Sequence, residues 1–361
     1  MSDNTSDTEQ LQQMEEIFIC DDVWLGIFDF LSPFDVGLKM ALISDRLDVL
    51  VDVHFKSREW SLDWLQILCT IDGKRAQIFN KRSGERQPIP EGPLPSKVTG
   101  FKSIKICYID QTVIEFLQRI RRLFDASGTN VFIQSNVGYD YLTISRAWEI
   151  IRQMIWPLVN DNICYLYLVE YSMFDSYSQF GRLRQFSPAI LRNCANLRAI
   201  TSHGLFPAFP AEDNAEASSR QALAKWLLTP RGDGLPKMLD CRYDPAQMEG
   251  LKRSFVNALE PVNFIINFCN MFYVDIEPFE LKNNWTGERL TFRQINVQKS
   301  LLVRCPIGRE EDKWTNWEKE AIEWFWYRQW NRIDIEWSIG IEWSIGDGMA
   351  EANEGPSELN E

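Results

Sequence analysis

Short apolar runs alternate with amphipathic segments over residues 98–270, and this alternation is the strongest constraint on the fold. Runs such as SIKICYI, NICYLYLVEY and VNFIINF are typical of strands, whereas QTVIEFLQRIRRLFDAS has the apolar spacing of a helix. The strands start at intervals of roughly 25–40 residues, which is the spacing of stacked βα repeats. Nearly continuous apolar strands indicate a parallel sheet covered on at least one face. We therefore predict either a curved, leucine-rich-repeat-like solenoid or a compact doubly wound sheet.

The regions on both sides of this βα region have a different character. Residues 59–97 contain two apolar runs around Asp72-Gly73, which predict a hairpin, and the Pro- and Gly-rich stretch 83–95 predicts a linker. Residues 271–332 predict antiparallel strands and a charged, Trp-rich helix. The expected fold class is therefore α+β or α/β, with a small antiparallel strand-plus-helix unit after the βα region.

Both ends of the sequence are polar and acidic. Residues 1–16 consist mostly of Ser, Asp, Thr, Glu and Gln, so we expect a disordered tail. Residues 333–361 contain a near-perfect tandem copy, IEWSIGIEWSIG, followed by another acidic tail. Such a copy is typical of recent sequence slippage rather than of a fold element, so we expect the duplicated hexamer to be poorly packed and the tail to be disordered.

Residues 17–58 predict a unit of three short helices. Asp21 or Asp22 is placed to cap the first helix. The second begins in the stretch SPFD, where Ser32 suits the N-cap and Pro33 the first helical position. The apolar residues expected to face inward are Val36, Met40 and Ile43 on the second helix and Leu47, Leu50 and Val51 on the third.

The charge of the chain argues against two classes of partner. The formal net charge is −13, so the basic surface that phosphate backbones require is missing and no nucleic-acid partner is expected. An acidic membrane surface would repel the chain, and no apolar run is long enough for a transmembrane span. The N-terminal residues lack the basic and apolar regions of a signal peptide, so we expect a cytoplasmic or nuclear protein.

The motifs of common catalytic and metal sites are absent from the sequence. The eight cysteines form no CxxC pair and only two histidines are present, so neither a metal site nor another cofactor is expected. No nucleophile elbow, phosphate loop or dinucleotide fingerprint occurs. TPRGDGLPK, residues 229–237, is best interpreted as a helix-to-strand loop, and His203 follows a strand without an accompanying nucleophile. We therefore predict that the protein is not an enzyme.

The stretch CDDVWLGIFDFLSPFDVGLKMALIS resembles the F-box. FLSPFDV matches the phenylalanine-leucine, proline and aspartate step of that family, and Ile43-Ser44 matches its later apolar-serine pair. Val23, Ile27 and Phe28 match the first helix, whereas Ile19-Cys20 stands where the family has Leu-Pro.

The remainder of the chain, to about residue 324, is similar to a lineage-expanded group of nematode F-box domain-containing proteins. The segments that carry this similarity are WEIIRQMIWPLVNDNI, RLRQFSPAILRNCANLRAITSHGLFPAFPAED, KWLLTPRGDGLPK, PFELKNNWTGERL and LLVRCPIGREEDKWTNWEKEAIEW. The group has no settled substrate.

The resemblance implies a non-catalytic subunit of a Skp-cullin-F-box type ubiquitin ligase. Residues 19–51 would bind a Skp-type adaptor, and through it a cullin, while the βα region would bind an unknown protein target. Burial of an apolar stripe against a partner's helices would explain why so small a helical unit exists. The expected adaptor contacts are Ile19, Cys20, Val23, Ile27, Pro33, Phe34 and Val36.

Two other hypotheses remain open from the sequence. The N-terminal helices could be a degenerate F-box in an interaction protein that has no ligase role. Alternatively, the α/β region could be an unrecognised hydrolase, which would need a deep pocket with clustered carboxylates or His203.

Overall fold

The computed structural model describes residues 19–31, 33–55, 60–81, 83–94, 98–125, 128–135, 141–168, 179–269, 277–324, 328–337 and 344–345. The chain divides into two compact units. The first, called here the helical unit, contains the residues up to Glu59 together with 95–97, and the second, the sheet unit, contains all the others. The tails predicted at the two ends of the chain lie outside the described residues.

Three α-helices form the helical unit, as the sequence predicts: α1 (Asp21–Phe28), α2 (Pro33–Leu38) and α3 (Asp45–Phe55), with a 3-10 turn at Met40–Leu42 before α3. The side chains that form its core are Phe28, Leu47, Leu50, Val51 and Phe55, all of them buried. The rings of Phe28 and His54 meet edge to face, with centroids 5.6 Å apart. Helices α1 and α3 therefore pack through the apolar spacing that the sequence shows.

The start of α1 corrects the predicted cap. The N-cap is Cys20, whose side chain makes no capping bond, and Asp21 and Asp22 lie in the first turn of the helix. There their negative charges interact favourably with the positive end of the helix dipole. The Arg46 guanidinium, on α3, donates to the Asp21 carboxylate and to the carbonyl of Ile19, which holds the start of α1 to α3. Pro33 begins α2 as predicted, and Ser32 lies outside the described residues.

The sheet unit is mixed α/β and is organised around one 13-stranded sheet. Its strands are β1 (Trp60–Cys69), β2 (Ala76–Asn80), β3 (Arg86–Pro88), β4 (Val98–Ile106), β6 (Thr129–Ser135), β7 (Ile163–Leu168), β8 (Ala199–Ser202), β9 (Lys237–Arg242), β10 (Phe264–Cys269), β11 (Phe279–Asn283), β12 (Glu288–Asn296), β13 (Lys299–Pro306) and β14 (Arg332–Trp337). Strands β5 (Tyr108–Ile109) and β15 (Ser344–Ile345) form a separate parallel pair.

The order of the strands is β11-β12-β13-β10-β9-β8-β7-β6-β14-β4-β1-β2-β3. From β10 to β1 every neighbouring pair is parallel, and the strands on either side of this block pair antiparallel. The predicted hairpin and the predicted C-terminal strands are thus the two edges of the same sheet rather than separate units. Residues 83–95, predicted as a linker, contain the short edge strand β3.

The helices of the sheet unit follow the strands they connect: α4 (Gln111–Arg119), α5 (Arg121–Asp125), α6 (Tyr141–Ile150), α7 (Trp156–Val159), α8 (Gln179–Arg184), α9 (Ile190–Asn193), α10 (Ser219–Leu227), α11 (Pro245–Val256) and α12 (Glu311–Glu323), with a π-helical turn between α6 and α7. The local sequence explains where several of these helices begin. Asp110 caps α4, and Ser218 forms a reciprocal capping box with Gln221 at the start of α10. Asp244 caps α11, with Pro245 at its first position.

Strand β14 contradicts the interpretation of the duplicated hexamer. It lies between β4 and β6 in the middle of the sheet, and its residues Ile333 and Ile335 are each 1% exposed. The first copy of the hexamer therefore begins inside a central strand. Asn331, directly before β14, bonds to the segments on both sides of this strand. Its backbone carbonyl accepts from the Asn130 amide, and its side-chain oxygen accepts from the Phe101 amide. A side chain at Gly100 would lie 2.7 Å from Asn331 Oδ1, so the close approach requires glycine.

Candidate functional site

An exposed apolar stripe follows α1 in the helical unit. Val23, Ile27, Phe30 and Leu31 are three or four positions apart and are 50%, 36%, 91% and 36% exposed, respectively. Residues at this spacing lie on one side of a helix, and the amides of Phe30 and Leu31 continue the helical turn by bonding to the carbonyls of Ile27 and Phe28. A contiguous apolar surface of this kind on a small unit is typical of a protein-binding site.

The predicted adaptor contacts do not share one environment. Val23 and Ile27 belong to the stripe, and Cys20 is exposed at the start of α1, with Ile19 partly buried beside it. Val36 is 1% exposed, so it belongs to the interior of the structure and offers no surface to a partner. Pro33 and Phe34 lie in α2, but their side chains are outside the described part of the chain.

The expected adaptor contacts leave out other exposed apolar residues of the helical unit. Phe30 and Leu31 extend the stripe beyond α1, and their spacing from Ile27 is the signal that reveals them. Leu42 and Ile43 are 53% and 63% exposed, although Ile43 was expected to face inward. The 3-10 turn ends the helical periodicity after α2, and this change of periodicity accompanies the exposure of Ile43.

The two faces of the parallel block differ in chemistry. Eight residues in register, one on each strand of the parallel block, form a fully buried apolar row: Leu65, Ile104, Ile333, Val131, Leu166, Ile200, Leu239 and Ile266. The next residue of each strand points to the other face and forms the polar row: Gln66, Lys105, Asp334, Phe132, Tyr167, Thr201, Asp240 and Asn267. A parallel sheet buried equally on both faces would be apolar in both rows.

Helix α12 packs on the polar-row face on the amino side of that row. Its residues Trp314 and Ala321 pack against Tyr165, Met238 and Ile265, which precede the polar row on their strands. Most polar-row residues are therefore half-buried, while Thr201 and Asn267 are buried. The row combines aromatic rings, amides and charges at the edge of the area that α12 covers.

The part of the polar row nearest β10 contains an interacting cluster. Asn267 Nδ2 donates to Asp240 Oδ2 at 2.8 Å, and His203 Nδ1, just beyond β8, lies 3.8 Å from Asp240 Oδ1. The Tyr167 hydroxyl is 3.4 Å from His203 Nε2, and the Tyr167 ring meets Phe132 edge to face at 4.9 Å. This cluster therefore joins β6, β7, β9 and β10 and the turn after β8.

Burial raises the pKa of Asp240, and the bond from Asn267 and the nearby His203 partly oppose this rise. Asp240 Oδ1 and Asn267 Oδ1 are buried acceptors without a hydrogen-bond partner among the described residues. The cluster is therefore suited to accept hydrogen bonds from a ligand. The thiol of Cys269, at the end of β10, has a pKa raised by burial and by Asp240, so it is a poor nucleophile.

Sequence reasoning named His203 but did not connect it with Asp240, Tyr167 or Asn267. The signal available was a polar or aromatic residue near the carboxyl end of each strand-like run. Pairing such residues requires the register of the strands, which the sequence does not state.

In the described part of the chain, no group of three or more His, Cys, Asp or Glu side chains is placed to hold a metal ion. Within the same ranges, no helix has both the length and the apolar character needed to cross a bilayer.

Comparisons with known proteins identify no relative. No family model matches the chain, and neither a curated protein nor a solved structure matches it significantly.

Proposed function

We propose that this protein is a non-catalytic substrate-recognition subunit of a Skp-cullin-F-box type ubiquitin ligase. In this proposal the helical unit is F-box-like and binds a Skp-type adaptor, and the sheet unit binds a protein target. The observation that carries the proposal is the exposed stripe of Val23, Ile27, Phe30 and Leu31 within the segment that resembles the F-box.

The energetics of the helical unit support an adaptor-binding role. A unit of this size buries too little apolar surface to be more than marginally stable alone. It nevertheless leaves a stripe of four large apolar side chains in contact with water. Burial in a partner's groove would stabilise both the stripe and the helices that carry it.

The asymmetry of the sheet supports a target-binding role for the sheet unit. Strands β6 to β10 follow one another in sheet order, and right-handed crossovers would place their connecting helices on one face. The polar row then lies on the opposite face, as in a leucine-rich-repeat-like arrangement. Aromatic rings beside unpaired acceptors are suited to bind a protein surface with specificity.

The alternative is an interaction protein without a ligase role. It is favoured by Cys20, which is exposed at the N-cap of α1 and stands where the F-box family has proline. In that case the polar row would still bind a protein partner, but the α1 stripe would not bind the adaptor.

Binding of a purified Skp-type adaptor to the full chain tests the proposal. We expect a stable complex for the natural chain, measured by size-exclusion chromatography and calorimetry. The variant Val23→Asp/Ile27→Asp should weaken binding by about 100-fold or more, because it places two carboxylates in an apolar interface.

The matched control is Ile71→Asp/Leu259→Asp, which changes two apolar side chains of the sheet unit that are 95% and 81% exposed. This control should bind the adaptor as the natural chain does. A natural chain that is folded by circular dichroism but does not bind the adaptor would reject the ligase role in favour of the alternative.

A further inference from the structure

A cavity of about 200 Å³ lies at the amino end of β9, between the loop that precedes this strand and helices α9 and α10. Its lining includes Leu191, Cys194, Leu197, Trp226, Arg231 and Lys237. Lys237 is the first residue of β9 and points to the same face as Leu239, away from the polar row. The cavity is therefore distinct from both surfaces described above.

The lining of the cavity is cationic. It contains Arg192, Arg231 and Lys237 but no aspartate or glutamate. The two arginines pair with carboxylates from outside the lining, because Arg192 Nε lies 2.9 Å from Asp213 and Arg231 lies 2.6 Å from Asp233. Lys237 has no such carboxylate partner among the described ion pairs, so its charge is the one that a bound anion would meet.

Two buried hydrogen-bond donors in the cavity wall can make further hydrogen bonds. Lys237 is 5% exposed, and its amine donates to the main-chain carbonyl of Trp226 and lies 4.9 Å from the centre of the indole ring. An ammonium group carries three donors, so this bond leaves two of them available. The indole N–H of Trp226 is buried without a hydrogen-bond partner, although Trp226 is only 2% exposed. Buried donors without acceptors are costly, and a ligand with acceptor atoms would satisfy them.

The loop before β9 gives the cavity a fixed wall. This loop is the predicted helix-to-strand connection TPRGDGLPK, and the structure confirms that it joins α10 to β9. Arg231 donates to the Asp233 carboxylate and to the carbonyl of Asn196, while Asp233 accepts from the amide of Leu235. The Arg231 side chain is only 11% exposed and belongs to the wall of the cavity, whereas the Asp233 side chain is 42% exposed.

We propose that this cavity is a binding site for a small oxyanion, held by the Lys237 ammonium and the Trp226 indole N–H beside the Arg231 guanidinium. The volume corresponds to about six water molecules, which is room for a phosphate group or for a small carboxylate. Both chemistries present oxygen acceptors with negative charge, and charge-assisted bonds to such oxygens are the strong ones.

The protonation of Lys237 makes the binding depend on pH. Burial, together with the charge of the nearby Arg231, lowers the pKa of Lys237 to about 7. The other titratable group in the wall, the thiol of Cys194, has its pKa raised to about 12 and stays neutral. An anion prefers the ammonium form, so affinity should fall as pH rises above 7, and binding at pH 8 should take up a proton.

Calorimetric titration with sulfate and with acetate tests the proposal, since neither probe changes its charge between pH 6 and 9. Binding to the natural chain is expected at pH 6, and it should weaken by up to about tenfold per pH unit above pH 7. Inorganic phosphate at pH 6 extends the comparison, and the tighter binder of the tetrahedral and carboxylate probes identifies the source of the oxyanion. Titrations at pH 8 in buffers of different ionisation enthalpy should reveal proton uptake.

Three variants separate the site from general charge effects. Lys237→Met should reduce affinity by about tenfold or more and abolish proton uptake. Trp226→Phe replaces the indole with a smaller aromatic ring that has no N–H, so it should cause a smaller loss of affinity and keep the pH dependence. Lys225→Met removes one charge from α10 outside the lining and should bind as the natural chain does. Absence of binding by sulfate and acetate at pH 6, or equal binding by natural chain and Lys237→Met, would overturn the proposal.

The Lys237→Met variant should remain folded. In the unfolded chain the lysine has a pKa near 10.5, against about 7 in the folded protein. Its charge therefore opposes folding most strongly below pH 7, and this penalty declines as pH rises toward 10.5. The variant should accordingly raise the melting temperature more at pH 6 than at pH 9. Should it nevertheless fail to fold, the Trp226→Phe comparison still decides the proposal.

Discussion

Glu288 and Arg304 form an ion pair in the interior of the sheet unit, where each is at most 1% exposed. Arg304 donates to Glu288 Oε2 at 2.6 Å and to the carbonyl of Glu260 at 3.0 Å, and the amide of Val262 donates to Glu288 Oε1. The guanidinium also lies over the ring of Phe255, 5.2 Å from its centre. These bonds join β12 and β13 to the segment between α11 and β10.

Breaking this pair from one side should be strongly destabilising. Arg304→Met leaves the Glu288 carboxylate buried without its counter-charge, and we expect a loss of about 3–5 kcal/mol in the free energy of unfolding. The double variant Glu288→Leu/Arg304→Met should recover part of that loss, because it leaves no buried charge. It should not recover all of it, since the Val262 amide and Glu260 carbonyl lose their partners. Urea denaturation of both variants measures the difference.

The surface pair Glu249–Lys252 is the control, since its atoms lie at a similar distance, 2.8 Å, but its side chains are 66% and 30% exposed. Glu249→Gln should cost less than about 1 kcal/mol. A cost for Arg304→Met as small as that of this control would contradict the role assigned to the buried pair.

At the scale of single residues, the sequence predicts burial and helix starts but not contacts between strands. Pro33 at the start of α2 and the buried Leu47, Leu50 and Val51 follow from local spacing, and the structure has them where the sequence predicts. The approach of His203 to Asp240 does not follow, because Asp240 lies on β9 and His203 in the turn after β8. The two residues meet only through the register of these two strands. Local patterns fix the side on which a residue lies but not its neighbours across strands.

At the scale of elements, the local periodicity predicts strands β6 to β10 and the helices between them. Strand β14 was missed for a physical reason. Its sequence, RIDIEW, alternates apolar and polar residues as a strand does, but the adjoining duplication suggested a segment without a structural role. Its partners β4 and β6 lie far away in the chain, so no local pattern points to them.

Removal of β14 should disrupt the sheet unit. A chain that ends at residue 331 leaves β4 and β6 without the strand between them and exposes their backbone donors and acceptors. We expect aggregation, or loss of the cooperative thermal transition observed by circular dichroism.

A chain that ends at residue 343 is the matched comparison, because it keeps β14. Of the described strand pairings, it loses that of β15 with β5. It should be soluble and melt cooperatively. If the chain ending at 331 had the same melting temperature as this comparison, the structural role of β14 would be refuted.

At the scale of the whole molecule, the two units differ in their capacity to fold alone. The sheet unit contains the whole 13-stranded sheet and its own buried apolar row, so we expect residues 60–361 to fold cooperatively without the helical unit. Residues 19–59 should be only partly helical when isolated, because their core is small and their stripe is exposed. Far-UV circular dichroism and thermal melting of the two fragments test this. A fragment 60–361 without a cooperative transition would show that the sheet unit requires the helical unit.

The insertion of β14 between β4 and β6 also has a consequence for biosynthesis. The segments of β4 and β6 emerge from the ribosome well before residue 337. For that time the nascent chain contains two strands whose shared neighbour, β14, has not yet been made. Completion of the sheet must wait for contacts of very high sequence separation, which fold slowly and leave edges open to other chains. Cellular yield of this protein should therefore depend on chaperone capacity more than on the equilibrium stability of the finished sheet.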